Sequence, residues 1–153
     1  MFIDRDVALA HPIAPFAFDV ERGRLRFFAR TIGLSDPVYL DVDAARAAGH
    51  RDLVVPPTFL GNSLELEIPE PLGWLAELGG DLTTTTHAQQ GFRYHTLAFA
   101  GDSLIFRRRI VDVYTKKGGQ LEFVVKRSDV WRGEELLAEI DFTIVLRHQE
   151  AAV

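Results

Sequence analysis

Three long stretches in the second half of the chain, Ser103–Tyr114, Leu121–Trp131 and Leu136–Leu146, are separated by turns centred on Lys117-Gly118-Gly119 and Arg132-Gly133-Glu134. Short glycine-bearing connections of this kind join antiparallel neighbours, so the three stretches predict a meander of long strands. The last is the clearest. Leu136, Ala138, Ile140, Phe142, Ile144 and Leu146 alternate with Glu139, Asp141, Thr143 and Arg147, which predicts one buried face and one largely wet face. Residues 87–99 predict a further strand. A sheet this long with one dry face has to cover something.

The first half supplies the cover. Arg24–Ile32 carries Leu25, Phe28, Ala29 and Ile32 at helical spacing, and Gly33 can cap its end. Asp41 and Asp43 can cap a short Ala-rich helix that Gly49 closes. Pro56 and Pro57 make a stiff entry into Thr58–Leu66, which has Phe59, Leu60, Leu64 and Leu66 on several sides and Gly61 inside. A helix apolar nearly all round is buried, and a glycine within it lets a neighbouring backbone approach. With no repeat and no linker, the expectation is one domain over residues 1–153. Its class is α+β, with the long antiparallel sheet wrapped around one buried central helix.

Composition excludes several function classes. The 153 residues are 47% apolar and 25% charged, which is ordinary for a soluble globular domain. A net charge of −5 argues against nucleic acid as a partner, since phosphate binding needs a basic field. There is no cysteine, hence no disulfide or thiol chemistry. Asp4, Arg5 and Asp6 interrupt any leader-like apolar run, and no stretch approaches the roughly 20 apolar residues that span a bilayer. No membrane partner and a cytoplasmic location follow as expectations.

In order along the chain stand Val20-Glu21-Arg22-Gly23-Arg24-Leu25-Arg26-Phe27-Phe28-Ala29-Arg30, Asp36-Pro37-Val38-Tyr39, the Ala-rich helix ending in Gly49, Val55-Pro56-Pro57-Thr58-Phe59, and Ala100-Gly101-Asp102. On these residues the chain resembles the hot-dog domain of MaoC-like dehydratases. More narrowly, it is similar to the N-terminal type of double hot-dog (R)-specific enoyl-CoA hydratases. That type also occurs as the separate, non-catalytic subunit of heterodimeric 3-hydroxyacyl-thioester dehydratases. The likeness runs over about residues 13–147. It implies a single hot-dog domain that forms a homodimer, or a heterodimer with a catalytic hot-dog subunit. It also implies an acyl-CoA or acyl-carrier thioester as substrate, a place in fatty acid metabolism, and no cofactor.

Hydration of an enoyl thioester needs a base to activate water, an acid to protonate the alpha carbon, and a donor to the thioester oxygen. The resemblance implies an Asp and a His five residues apart in an Asp-x-Asn-Pro-x-His motif, and a backbone N–H at the start of the buried helix. Laid onto this chain, the Asp position falls on Leu34 and the His position on Tyr39, while the N–H position falls at or beside Pro57. Leucine takes no proton, tyrosine with an ordinary pKa of about 10 is a poor base near neutrality, and proline has no N–H. The expectation is therefore an acyl-thioester-binding subunit that is inactive by this mechanism on its own. Leu34, Asp36, Tyr39, Pro57, Thr58, Phe59 and Leu60 are its candidate substrate-binding residues.

Other residues carry competing readings. Asp36 is either a displaced catalytic acid or, by preference, a cap for the turn at Pro37. Tyr39 either hydrogen-bonds a substrate or packs at the helix approach. His87 and His95, eight apart, share a face if their strand is regular, and read first as ordinary polar strand positions rather than as a base. His50, next to Arg51, reads as an exposed loop residue. Arg107 and Arg109 share one face of a strand while Arg108 points the other way, so the run reads as a solvated edge before it reads as a phosphate contact. No His, Asp or Glu cluster has metal-ligand spacing, so no metal is expected. A stand-alone acyl-CoA thioesterase using Asn62, Glu65 or Glu67 on the buried helix is one alternative function. A module that binds acyl-CoA without turnover is another.

Overall fold

A computed structural model of the protein describes residues 3–62 and 68–148, Asn62 by its backbone alone. The meander stands where the sequence places it. Strands β3 (Ser103–Lys116), β4 (Leu121–Arg132) and β5 (Glu135–Arg147) pair in sequence order, and β2 (Thr85–Tyr94) adds to the free side of β5. A four-residue strand not foreseen in the sequence, β1 (Phe16–Asp19), adds to β3 and gives the antiparallel order β1-β3-β4-β5-β2. Gly118 and Gly119, at φ +63° and +93°, take the left-handed conformations that return the chain between β3 and β4. Register shifts between Ile110 and Asp112 and between His87 and Gln89 insert extra residues, the device that bends and twists long strands so that a sheet can wrap.

Two strand expectations need correction. The strand over 87–99 ends at Tyr94. The N–H groups of His95 and Thr96 both turn onto the Leu137 carbonyl, at 2.8 and 3.3 Å, and residues 98–100 pair instead with 53–55. That pairing runs from Val55 N–H to Ala98 O at 2.9 Å and from Ala100 N–H to Leu53 O at 3.0 Å. Along β5, Leu137 is fully buried although its parity assigns it to the wet face. Val130 pairs with Ala138 and Trp131 with Leu136, so Leu137 is a bulge residue and turns inward beside Ala138.

The described residues also form five short α-helices: α1 (Arg5–Ala10), α2 (Arg22–Thr31), α3 (Val42–Ala47), α4 (Phe59–Asn62) and α5 (Gly73–Glu77). Asp4 caps α1 through Val7 N–H and Asp41 caps α3 through Ala44 N–H, each giving an orphan donor a partner. Leu25 of α2, and Phe59 and Leu60 of α4, pack with Leu53, Leu104, Phe106, Val130, Leu137 and Ile140, and Ala29 of α2 is also buried. A second group joins Ile3, Ala8, Trp74 and Leu75 to Ile110, Val124 and Ile144 at the other end of the sheet. Of the helix expected over Thr58–Leu66, Phe59–Asn62 is described as helical and residues 63–66 lie outside the described residues. Among the described residues no helix is long and apolar enough to cross a membrane.

Buried charge fixes the corners. Asp102, 3% exposed, accepts from Phe99 N–H at 2.9 Å and Arg132 Nη1 at 2.8 Å, and also pairs with Arg51. Glu122, 1% exposed, joins two distant segments, accepting from Ile3 N–H and lying 2.9 Å from His148 Nε2. Asp52 receives Nε and Nη2 of Arg22 at 2.9 and 2.5 Å, anchoring the first turn of α2.

The Arg22 hydrogen bonds, opposed by burial, hold the Asp52 carboxyl down at about 2 from an ordinary 3.8. A depressed carboxylate stabilises the fold fully above its unfolded pKa and loses that contribution as the pH falls through the folded value. Asp52→Asn is expected to lower the unfolding free energy by about 1–2 kcal/mol near neutrality, less than the full shift implies because Arg22 is half exposed. Denaturant titrations at stepped pH should show the gap to the native protein closing between about pH 4 and pH 2.

Candidate functional site

Two segments carry the candidate residues, and the chain builds each for local reasons. Helix α2 ends at Gly33, whose φ of +76° lets Leu34 N–H reach back to Ala29 O at 2.9 Å. Asp36 Oδ1 then accepts from Val38 N–H at 3.0 Å and caps a turn of 3-10 helix over Pro37–Tyr39. Asp36 thus takes the turn-capping role, with its side chain exposed, while Leu34 and Tyr39 flank it half buried.

The second segment is held against the first. Val54 N–H donates to Val38 O at 3.2 Å, and Arg26 Nε donates to Leu40 O at 2.8 Å, so the loop is tied both to residues 53–55 and to α2. From there the chain enters α4 through buried Pro56 and exposed Pro57, with Phe59 N–H closing on Pro56 O at 3.0 Å. The Pro57 carbonyl accepts the Tyr94 hydroxyl from β2. Burial pushes the Tyr94 phenol up to about 12, so it is a hydrogen-bond donor near neutrality. The Tyr94 ring lies parallel to Phe92 with centroids 6.2 Å apart. A Cβ on Gly61 would come within 2.4 Å of Gln90 Nε2 and 3.0 Å of the Phe92 ring, so this glycine sets the approach of α4 to β2.

Within this frame the candidate residues separate. Leu34, Asp36 and Tyr39 sit together on the loop, and Pro57 and Thr58 stand at the entry to α4 with Thr58 half buried. Phe59 and Leu60 are core residues, 1% and 0% exposed, with the Phe59 ring edge-on to Phe28 at 5.3 Å and to Phe18 at 6.4 Å. Glu65 and Glu67 lie outside the described residues, as does the side chain of Asn62.

His87 and His95 do not share a face. The bulge between His87 and Gln89 reverses the alternation, so His87 stacks on Phe142 at 4.5 Å while His95 Nε2 lies 3.0 Å from Glu139 Oε2 on the other side of the sheet. The arginine run divides as expected. Arg107 lies over the Trp131 ring and Arg109 pairs with Asp129, whereas Arg108 donates to Ala14 O and covers Phe16.

One group escaped the sequence reading because its charges come from three strands. Arg127 makes a two-pronged contact with Asp141, at 2.6 and 2.8 Å, and reaches Glu139 at 3.3 Å, and Glu139 also meets Arg93 at 3.7 Å. The carboxylates raise the Arg127 pKa, Asp141 first among them through its hydrogen bonds. The cleft here, lined by Gly91, Phe92, Arg93, Arg127, Glu139 and Asp141, holds about 180 Å³. This is below the roughly 300–1,000 Å³ of pockets that take drug-sized ligands, and the charges are already matched to one another. Among the described residues no three His, Asp or Glu side chains could hold a metal ion.

Comparison with known proteins gives this geometry a context. A family model described as "FAS1-like, dehydratase domain region" matches residues 8–139. A UPF0336 protein of Parafrankia sp. (strain EAN1pec) is 37% identical over 131 residues, 85% of each chain. Among solved structures, a chain of the C-terminally truncated HadBC (3R-hydroxyacyl-ACP dehydratase) complex of Mycobacterium tuberculosis superposes with a TM-score of 0.72 at 27% identity, over 86% of this chain and 91% of that one. A chain of the ChsH1–ChsH2 complex of the same organism gives 0.74 at 24% identity over 96% and 90%, a likeness of fold. The five-stranded antiparallel sheet over a short buried helix is the hot-dog fold of these neighbours.

The contact of α4 with β2 is open to direct measurement. Gly61→Val is expected to cost about 1–3 kcal/mol, because Phe92 has to give way. Tyr94→Phe should cost about 1 kcal/mol, the Pro57 carbonyl losing its donor. Thermal unfolding of the two variants distinguishes the steric effect from the polar one.

Proposed function

This chain belongs to the family of FAS1-like dehydratase domain regions, and from that footing we propose that it binds acyl thioesters as the non-catalytic hot-dog subunit of an (R)-specific enoyl-thioester hydratase or 3-hydroxyacyl-thioester dehydratase. The observation that carries this reading is the loop Gly33–Leu40. It holds one carboxylate, Asp36, and that carboxylate is committed to Val38 N–H. Leu34 and Tyr39, on either side, stand where the family resemblance sets an acid–base pair. Leucine has no group that exchanges a proton, and a tyrosine hydroxyl is a weak general base. The entry to α4 at Pro57 lacks the N–H that would receive the thioester oxygen, and its carbonyl is occupied by Tyr94.

What remains suits holding a substrate rather than converting it. Leu34, Tyr39 and Thr58 offer half-buried, mainly apolar surface beside two loops already tied together, so an acyl chain laid there meets preordered walls. Phe59 and Leu60 back that wall from the core. The acid, the base and the oxygen donor then come from a second hot-dog subunit. The HadBC and ChsH1–ChsH2 neighbours, each solved as a complex of two named components, support such a partner.

The test is crotonyl-CoA hydration, followed by loss of enoyl-thioester absorbance, with the purified protein alone and mixed with a catalytic hot-dog partner carrying an intact Asp-x-Asn-Pro-x-His motif. No turnover alone and turnover in the mixture above that of the partner alone is the expected result. Hydration by the pure protein would overturn the reading.

A further inference from the structure

Helix α2 displays a surface that the fold itself does not use. Arg22, Arg24, Arg26 and Arg30 fall within its ten residues with no acid among them, in a chain whose net charge is −5. Arg22 is committed to Asp52, and the Arg24 guanidinium lies 4.9 Å from the Phe18 ring centre. Arg26 donates to a carbonyl, Leu40 O, and neither it nor Arg30 meets a carboxylate among the described residues. Between these two arginines stands Phe27, 75% exposed, the most exposed large apolar side chain among the described residues. Ile32, 46% exposed, continues the apolar surface toward the helix end.

One turn before Phe27 lies Gly23. A Cβ there would meet nothing within 4 Å, and its φ is not in the left-handed region. Neither packing nor backbone conformation within this chain calls for glycine at a helical position that other residues favour. An open landing strip beside an exposed aromatic ring, edged with unneutralised guanidinium groups, matches a protein surface that is both acidic and apolar.

We propose that this face of α2 docks an acidic carrier protein bearing the acyl thioester, with Phe27 as the apolar anchor, Arg26 and Arg30 facing carboxylates, and Gly23 leaving room for the carrier's backbone. The proposal rests on the thioester-binding reading above and names its carrier. The placement is apt. Phe27 lies about 6 Å along the helix axis from Thr31, the last residue of α2, at roughly 1.5 Å per residue, and Gly33 just beyond opens the loop that carries Leu34, Asp36 and Tyr39. A carrier seated on α2 thus sits beside that loop, within reach of its phosphopantetheine arm. Coenzyme A, with no protein surface to seat, has no need of Phe27 or of the open space at Gly23.

The experiment titrates labelled crotonyl-carrier protein, and separately crotonyl-CoA, against the purified protein and its Phe27→Ser, Arg30→Glu and Gly23→Gln variants. Each variant should weaken carrier binding about tenfold, and crotonyl-CoA binding should stay unchanged. Added salt should weaken carrier binding to the native protein. Gly23→Gln guards against a folding artefact, since it favours the helix and its side chain enters empty space, leaving Tm unchanged or higher. Variants that bind the carrier as the native protein does would overturn the proposal. So would an equal loss for both thioesters, or a changed oligomeric state on size exclusion, which would assign the face to a subunit. In those outcomes thioester binding itself stands; a native protein that binds neither crotonyl compound overturns the binding reading along with this one.

Discussion

The buried carboxylate of Asp102 is the contact on which the site's architecture depends. It lies at the corner before β3 and draws in Arg51 from the segment leading to α4, Arg132 from the end of β4, and the N–H of Phe99. Around it, Gly101 N–H donates to Val20 O and Val20 N–H to Asp102 O, each at 2.8 Å, while Ala100 N–H reaches Leu53 O. One corner therefore joins the end of β1, the approach to α4 and the β4–β5 hairpin. Of this group only Asp102 is buried, Arg51 being half exposed, so the carboxylate is the member whose partners matter most. The segment 53–57 is held at a fixed place under the sheet, and through Val54 it carries the Leu34–Tyr39 loop with it.

That arrangement fixes the loop and the entry to α4 independently of the side chains at the candidate positions. The positions of Leu34 and Tyr39 are set by the helix end at Gly33, the Asp36 cap and the Val38–Val54 bond, all of which are backbone or capping interactions. None depends on which side chains occupy positions 34 and 39. The entry to α4 is likewise fixed by its neighbours, Tyr94 on the Pro57 carbonyl and Gly61 against Gln90 and Phe92. Scaffold and chemistry are separable in this fold, and here the scaffold is intact.

Much of this was legible in the sequence, for identifiable reasons. The meander β3–β4–β5 could be read because long alternating runs and glycine turns are local signals, and α2 and α3 because their caps and spacing are too. The strand ending at Tyr94 could not, since what stops it is the Leu137 carbonyl, 42 positions later than His95. The same bulge that presents this carbonyl buries Leu137 against its parity. Strand β1 is too short to carry a pattern and exists because β3 offers it an edge. The inward positions of β4 include Glu122, Lys126 and Ser128, each nearly inaccessible although residues of these types usually face water. Of the candidate site, the departures at Leu34, Tyr39 and Pro57 were visible as residues, and the commitment of Asp36 as a preference. The engagement of Tyr94 with Pro57 needed the fold, whereas the burial of Phe59 and Leu60 followed from a helix apolar on several sides.

The central claim is that this chain holds the thioester while another subunit supplies the proton transfers. The most direct measurement reconstitutes the assembly with a catalytic hot-dog partner whose own Asp and His are replaced by Asn and Ala, then follows both crotonyl-thioester hydration and crotonyl-thioester binding. The account predicts that hydration vanishes while binding persists. Hydration surviving in that assembly would place a working acid and base in this chain and contradict it.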